Sequence, residues 1–303
     1  MLHAVIDIGS NTIRLSVYDC SRKDKIVQKA GGRAIAGLAA CTKDGALTRE
    51  GIEKVCDALN GFRDILSEHN PESLFVFATA SLRNVSNTAE AVEAVRKETG
   101  FHIEILPGEE EAMLDFAGAM LGTDVSDGLV VDIGGGSSEL IRFCNRSMRR
   151  AASLPVGSLK LYKEYVRGLL PTYEETVAIR RETARLLEKA GMKKEVCKTV
   201  LGVGGTLRHS ARLCAAAGCG SADGFAVNDF KNLLNLLCTD STYAEDILRR
   251  ITPDRVDSML PGMLLFDVIA DYFSCERVEI SMFGVREGYL IEKILKMNTD
   301  ENV

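Results

Sequence analysis

Two short segments carry residue types at spacings suited to holding phosphate. Val5-Ile6-Asp7-Ile8-Gly9-Ser10-Asn11-Thr12-Ile13-Arg14-Leu15 is answered by Val130-Val131-Asp132-Ile133-Gly134-Gly135-Gly136-Ser137-Ser138-Glu139-Leu140. Each copy reads as a strand ending in Asp, a tight glycine turn with small polar residues, and a second strand. Glycine lets the backbone approach an anion closely and aim successive N–H groups at it, while hydroxyls and amides add donors. Asp7 and Asp132, set across a cleft, have the chemistry to hold a hydrated Mg²⁺ that bridges phosphoryl oxygens. A third turn, Leu201-Gly202-Val203-Gly204-Gly205-Thr206-Leu207, follows an apolar strand and opens a helix, where Gly204 and Gly205 can receive a further phosphate or a nucleotide. It is neither the dinucleotide pattern, since Arg208 stands where the third glycine belongs, nor a Walker turn. The run Glu109-Glu110-Glu111 after Pro107-Gly108 admits two readings. Acids in a first helical turn complement the helix dipole, and a glutamate at a cleft edge is a general base for a water attacking phosphorus.

These residues need elements to position them. Apolar or β-branched runs at 3–8, 13–18, 26–30, 74–79, 101–106, 129–133, 139–144, 199–203 and 277–281 read as strands. Helical spacing fills 49–68, 87–99, 109–122, 172–190, 205–217, 227–239, 258–273 and 285–297. Strands interleaved with helices imply an α/β fold with mostly parallel sheets and exclude all-α and all-β architectures. The distance between the two Asp-Ile-Gly copies makes this a duplication of whole domains, not a short repeat. The expected domains are 1–124 and 125–303, divided in the small-polar stretch Gly122–Gly128, with the terminal helix near 285–298 packing back on the first.

The 303 residues carry 43 acids against 37 bases, a net charge of −6, so a polyanion must be held locally and general affinity for nucleic acid is not expected. Basic clusters at Arg22, Lys23 and Lys25, at Arg146, Arg149 and Arg150, at Lys193 and Lys194, and at Arg208 and Arg212 each read, taken singly, as solvated surface charge. No apolar run reaches membrane-spanning length, and the chain enters a strand with no basic leader, so neither a membrane nor secretion is expected. Nine cysteines with no Cys-x-x-Cys pair suit buried thiols in a reducing cytoplasm.

Taken in order along the chain, the motifs resemble the exopolyphosphatase/guanosine pentaphosphate phosphohydrolase family of the acetate-kinase, sugar-kinase, Hsp70 and actin superfamily. Besides the two hairpins they are Ala78-Thr79-Ala80-Ser81-Leu82-Arg83, Gly108-Glu109-Glu110-Glu111-Ala112, Leu154-Pro155-Val156-Gly157-Ser158, Gly202–Thr206, Asp254-Arg255-Val256-Asp257 with Gly262, and Gly284-Val285-Arg286-Glu287-Gly288. The resemblance implies a duplicated actin-like α/β fold with a ribonuclease H-like core. It implies release of terminal phosphate from inorganic polyphosphate, with guanosine pentaphosphate as the rival substrate. Glu111 matches the family's water-activating carboxylate and Glu139 a second essential acid, which serves the metal site with Asp7 and Asp132. Ser10, Asn11 and Arg14 match a first phosphate loop; Gly134, Gly135, Gly136 and Ser137 match a second, and Arg83 matches a cleft arginine. Mg²⁺, or Mn²⁺ in its place, is the implied cofactor, and a homodimer is compatible with the family. An actin-like kinase or a nucleotide-gated switch on the same fold are the readings from other classes.

Overall fold

The computed structural model describes residues 1–22 and 25–300, with the side chains of Arg22, Lys25 and 295–300 excepted. Of the cluster Arg22, Lys23 and Lys25, Lys23 and the other two side chains lie outside what is described. By its internal contacts the chain divides into two units, Met1–Glu111 with Tyr289–Val303, and Ala112–Gly288.

In the first unit, β1 (Leu2–Ile8), β2 (Thr12–Arg22), β3 (Lys25–Ile35), β4 (Ser73–Ala78) and β5 (Glu104–Ile105) form one sheet in the order β3-β2-β1-β4-β5. In the second, β6 (Gly128–Ile133), β7 (Ser138–Cys144), β8 (Ser147–Leu154), β9 (Thr199–Val203), β10 (Gly224–Ala226) and β11 (Arg277–Ile280) run β8-β7-β6-β9-β11-β10. Apart from the added β10, the strand order is the same, so the duplication inferred from the Asp-Ile-Gly echo extends to whole sheets. Both sheets are mixed, not mostly parallel. The first three strands of each are antiparallel because tight hairpins join them; β4 and β5 in the first sheet and β9 and β11 in the second, reached through helices, lie parallel, and the edge strand β10 is antiparallel to β11.

The helices are α1 (Arg49–Gly61), α2 (Arg63–His69), a single turn α3 (Ala80–Arg83), α4 (Thr88–Thr99), α5 (Gly108–Ala119), α6 (Ser158–Tyr165), α7 (Tyr173–Lys189), α8 (Gly204–Ala216), α9 (Val227–Thr239), α10 (Ser241–Ile251), α11 (Val256–Tyr272) and α12 (Val285–Asp300). A reciprocal capping box starts α7: Thr172 Oγ1 accepts from the Glu175 amide, and the Glu175 carboxylate accepts from the Thr172 amide. Pro253 and the 3₁₀ turn it opens separate α10 from α11.

Strand alternation sorts the two faces of the second sheet. Leu129, Val131, Ile133 and Leu140 join the large core of this unit, whereas Val130, Ile141 and Phe143 pack with Ala112 and Ala119 of α5. Each such fully buried aliphatic side chain contributes about 1.5–3 kcal/mol relative to exposure. On that second face α12 crosses α5 at backbone contact. A Cβ on Gly118 would overlap the Gly284 carbonyl, and one on Gly288 would overlap the Leu114 carbonyl. The glycines of the Arg-Glu-Gly motif are therefore packing residues that let two helices touch. No helix among the described residues is long and apolar enough to cross a membrane.

Candidate functional site

The two hairpins share one backbone frame. Gly9 N donates to Thr12 O at 3.2 Å, and Gly134 N donates to Ser137 O at 3.0 Å. The carbonyls of the turns are tied down by the chain that follows the third strand of each unit. Ser10 O accepts from the Ala39 amide at 3.0 Å, and its counterpart Gly135 O accepts from the Lys160 amide at 2.9 Å. Asn11 O takes the Ala36 and Gly37 amides, and Gly134 O takes that of Ser158. With the carbonyls held on one side, the amides face the other, and no described residue accepts from the N–H groups of Ser10, Asn11, Gly135 or Gly136. Gly157 makes the docking possible, since a Cβ there would stand 2.7 Å from the Gly135 carbonyl carbon.

Charge separates the copies. Asp7 lies opposite Arg14 in register, whereas Asp132 lies opposite Glu139. Directly opposed residues put their side chains on one face, about 5 Å apart at Cβ, so the second hairpin presents two carboxylates side by side. Glu139 is 2 % exposed, and Ser153, its register partner on β8, donates from Oγ to Oε1 at 2.8 Å. Asp132 faces the third glycine turn. Gly204 has φ +73°, a conformation that favours glycine, and a Cβ there would overlap the Asp132 carboxylate. Thr206 Oγ1 ties the start of α8 to the Ile133 carbonyl at 2.8 Å.

Two arginines surround this turn. The Arg255 guanidinium occupies the space where a Gly205 Cβ would project. Arg208 donates from Nε and Nη2 to the Ser281 carbonyl at 3.1 and 2.9 Å. Burial pulls its pKa below the usual arginine value, and Asp132 opposes that shift most strongly. Sequence reasoning placed Arg208 among solvated charges and gave Arg255 no role. The signal available was position: Arg208 follows a strand–glycine–helix turn by one residue beyond Leu207 and is carried into the unit by α8.

In the first unit the remaining expected residues come together around the end of β4. Ser81 Oγ donates to the Ile8 carbonyl and pins α3 beside β1. From that turn Arg83 reaches the start of α5, where Nη1 donates to Glu111 Oε2 at 2.6 Å and to the Leu106 carbonyl at 2.8 Å. Of the three consecutive acids Glu109 is exposed, Glu110 half-buried and Glu111 buried, so Glu111 alone is turned into the fold and ion-paired.

No group of three histidine, cysteine or acidic side chains that could hold a metal occurs among the described residues. The donor set that does exist is the pair Asp132 and Glu139. Two adjacent carboxylates fit Mg²⁺, which commonly takes one or two protein carboxylates and completes its octahedron with water and substrate phosphate.

Comparison with known proteins bears on family and fold. The profile of the Ppx/GppA phosphatase family matches residues 35–297. Exopolyphosphatase 1 of Mycobacterium tuberculosis is 29 % identical over 301 residues, covering 96 % of this chain and 87 % of the relative. Among solved structures, a Ppx/GppA family member from Aquifex aeolicus aligns with a TM-score of 0.80 at 25 % identity, covering 98 % of this chain and 99 % of the other. An exopolyphosphatase from Cytophaga hutchinsonii aligns with a TM-score of 0.84 at 23 % identity over 96 % and 97 % of the two chains, and shows the shared fold. That fold is the duplicated actin-like α/β architecture.

Proposed function

This chain belongs to the Ppx/GppA phosphatase family, and we propose that it is an exopolyphosphatase, a hydrolase that releases terminal phosphate from inorganic polyphosphate. The observation that carries this reading is the paired hairpin frame, with turn carbonyls tied down and turn amides presented, joined in the second unit to two adjacent carboxylates. Phosphoryl transfer asks for positioning and charge neutralisation more than for covalent chemistry, and these parts supply both.

The Gly135 and Gly136 amides, with Gly134 and Ser137 setting the turn, are suited to donate to phosphoryl oxygens, and the first hairpin offers equivalent donors at Ser10 and Asn11. Arg14 adds a cation to the first loop, and Gly204 and Gly205 offer backbone donors at the start of α8. Asp132 and Glu139 would hold Mg²⁺, or Mn²⁺, and the ion would supply Lewis-acid neutralisation of phosphoryl oxygens; Asp7 is the matching carboxylate of the first hairpin. Glu111 accepts the proton of the attacking water, and Arg83 fixes that carboxylate through Oε2 and balances charge at the reacting end. The cytoplasm is the matching compartment, where nine unpaired cysteines persist as thiols.

The test is phosphate release from long polyphosphate, tripolyphosphate and guanosine pentaphosphate, with Mg²⁺, with Mn²⁺, and with excess chelator. Release from polyphosphate that chelator abolishes is expected. Release confined to guanosine pentaphosphate would transfer the assignment to that substrate, and no release from any of them would refute the hydrolase reading.

A further inference from the structure

Away from the hairpins, four cations converge on a pocket of about 210 Å³ in the second unit: Arg142 from β7, Arg149 and Arg150 from β8, and Lys193 from the segment after α7. Glu195 is the one acid in its lining, and the apolar floor is Met192 and Phe273. The site is distinct from the candidate active site. Arg142 shares its face of the sheet with Leu140, whereas Glu139 and Ile141 point to the opposite face, toward α5.

Two features of β8 separate this cluster from ordinary solvated charge. Arg150 stands directly opposite Arg142 in the antiparallel register, an arrangement of like charges that weakens a strand pair. The register also shifts between Met148 and Arg150, so Arg149 is an extra residue in a β-bulge. In a regular strand Arg149 and Arg150 would point to opposite faces. With the bulge both line one pocket, and bulges are a recurrent device for re-aiming side chains at sites. Arg142 is held rigidly: Nη1 donates to the Gly128 carbonyl at 3.0 Å and to the Phe143 carbonyl, and Nε lies 3.7 Å from Glu195 Oε2. The Arg150 guanidinium lies against the turn at Gly191, with Nη2 3.5 Å from where a Cβ there would stand.

We infer that this pocket is a second anion site, built for a condensed-phosphate unit of two linked phosphoryl groups. The guanidinium forks of Arg149 and Arg150, with the anchored Arg142 and the Lys193 ammonium, stand against one carboxylate and leave an excess of positive charge, and guanidinium geometry suits bidentate contact with phosphate oxygens. The volume lies below the roughly 300–1,000 Å³ of pockets that enclose drug-sized ligands, so a pyrophosphate unit fits and a whole nucleotide does not. The same unit is available as free pyrophosphate or as an inner stretch of a polyphosphate chain. Because the site faces water, its affinity falls as salt rises. The inference stands apart from the hydrolase reading, since none of these residues belongs to the hairpins or to the Arg83–Glu111 pair.

The test maps arginine modification by phenylglyoxal in the intact protein, residue by residue, with and without ligand at low salt. Millimolar pyrophosphate, or long polyphosphate at the same phosphate concentration, is expected to slow modification of Arg149 and Arg150 at least tenfold. Protection by pyrophosphate identifies the free anion as sufficient, and protection by the long chain alone identifies an inner chain segment. Unchanged rates with both ligands would overturn the site. A second arm compares melting of the native protein with Arg149→Ala/Arg150→Ala. Without ligand the variant is expected to melt no lower than the native protein, having lost a like-charge pair, and to show a smaller rise in Tm with pyrophosphate. A variant that melts several degrees lower without ligand, yet gains the full native increment with it, would make the arginines structural and overturn the inference.

Discussion

The hairpins of β1–β2 and β6–β7 make the same turn and differ in one charge. Gly9 and Gly134 close the turns with equivalent hydrogen bonds, and Ser10 and Gly135 give up their carbonyls to equivalent amides. Opposite the aspartate, however, the first copy has Arg14 and the second Glu139. Divergence after duplication has therefore acted on side chains and left the amide cradle alone. A hairpin with Asp and Arg is internally neutral and suits an anion. One with Asp and Glu carries two like charges on one face, which costs stability unless a cation joins them. Two copies of one turn thus differ in what each can hold by itself: the first pairs its aspartate with a cation, and the second sets two carboxylates side by side.

Exchanging that single charge is the strongest way to break the comparison. Glu139→Arg gives the second hairpin the charges of the first, and hydrolysis should fall by about 10³-fold or more, with no recovery at high Mg²⁺. Steady-state phosphate release across a metal titration checks this. Arg14→Glu does the converse: KM for polyphosphate should rise about tenfold, with kcat less affected, because the change removes binding in ground and transition states alike. Ser153→Ala leaves both carboxylates but frees Glu139 Oε1 from its hydroxyl, and an effect of about tenfold on the Mg²⁺ concentration for half-maximal rate is expected.

The smallest effect lies beneath the first hairpin. His3 on β1 is buried, with Nδ1 2.7 Å from Ser73 Oγ and Nε2 without a hydrogen-bond partner among the described residues. Burial lowers its pKa below the usual 6.5, with Glu72 opposing and the N-terminal amine assisting. The unfolded chain therefore binds the proton more readily. The stability gained from neutral His3 is present above about pH 6.5 and is lost as pH falls toward the folded value. Melting between pH 7.5 and 5.5 should show a modest decline that His3→Asn flattens.

How much of this was legible from sequence depended on whether a feature is local. The Asp-x-Gly turns, the Glu run at a helix start and the helices with clear apolar spacing are local, and they appear close to their expected places. Strand β8 was not expected, because Ser147-Met148-Arg149-Arg150 carries no apolar alternation. Its signal was the turn Asn145-Arg146, where both residues take positive φ, as tight hairpin turns require. Helix α10 was also missed, although Ala244, Ile247 and Leu248 recur at helical spacing and Asp240 caps it. Polar Thr239–Thr242 reads as a loop and masks the start. The long-range pairs left no sequence trace: Arg83 with Glu111, Ser153 with Glu139, and Gly204 against Asp132 are set by sheet order and helix crossing, not by spacing.

Glu111 is the point on which the account turns, since burial and the Arg83 ion pair single it out from Glu109 and Glu110. The most direct measurement compares single-turnover release of phosphate from polyphosphate by the native protein, Glu111→Gln and Glu110→Gln, with polyphosphate affinity measured on the same samples. A water-activating carboxylate predicts a rate about 10²–10⁴-fold lower in Glu111→Gln at nearly native affinity, and little change in Glu110→Gln. A Glu111→Gln protein that hydrolyses at the native rate, or one in which both variants lose activity equally, would contradict it.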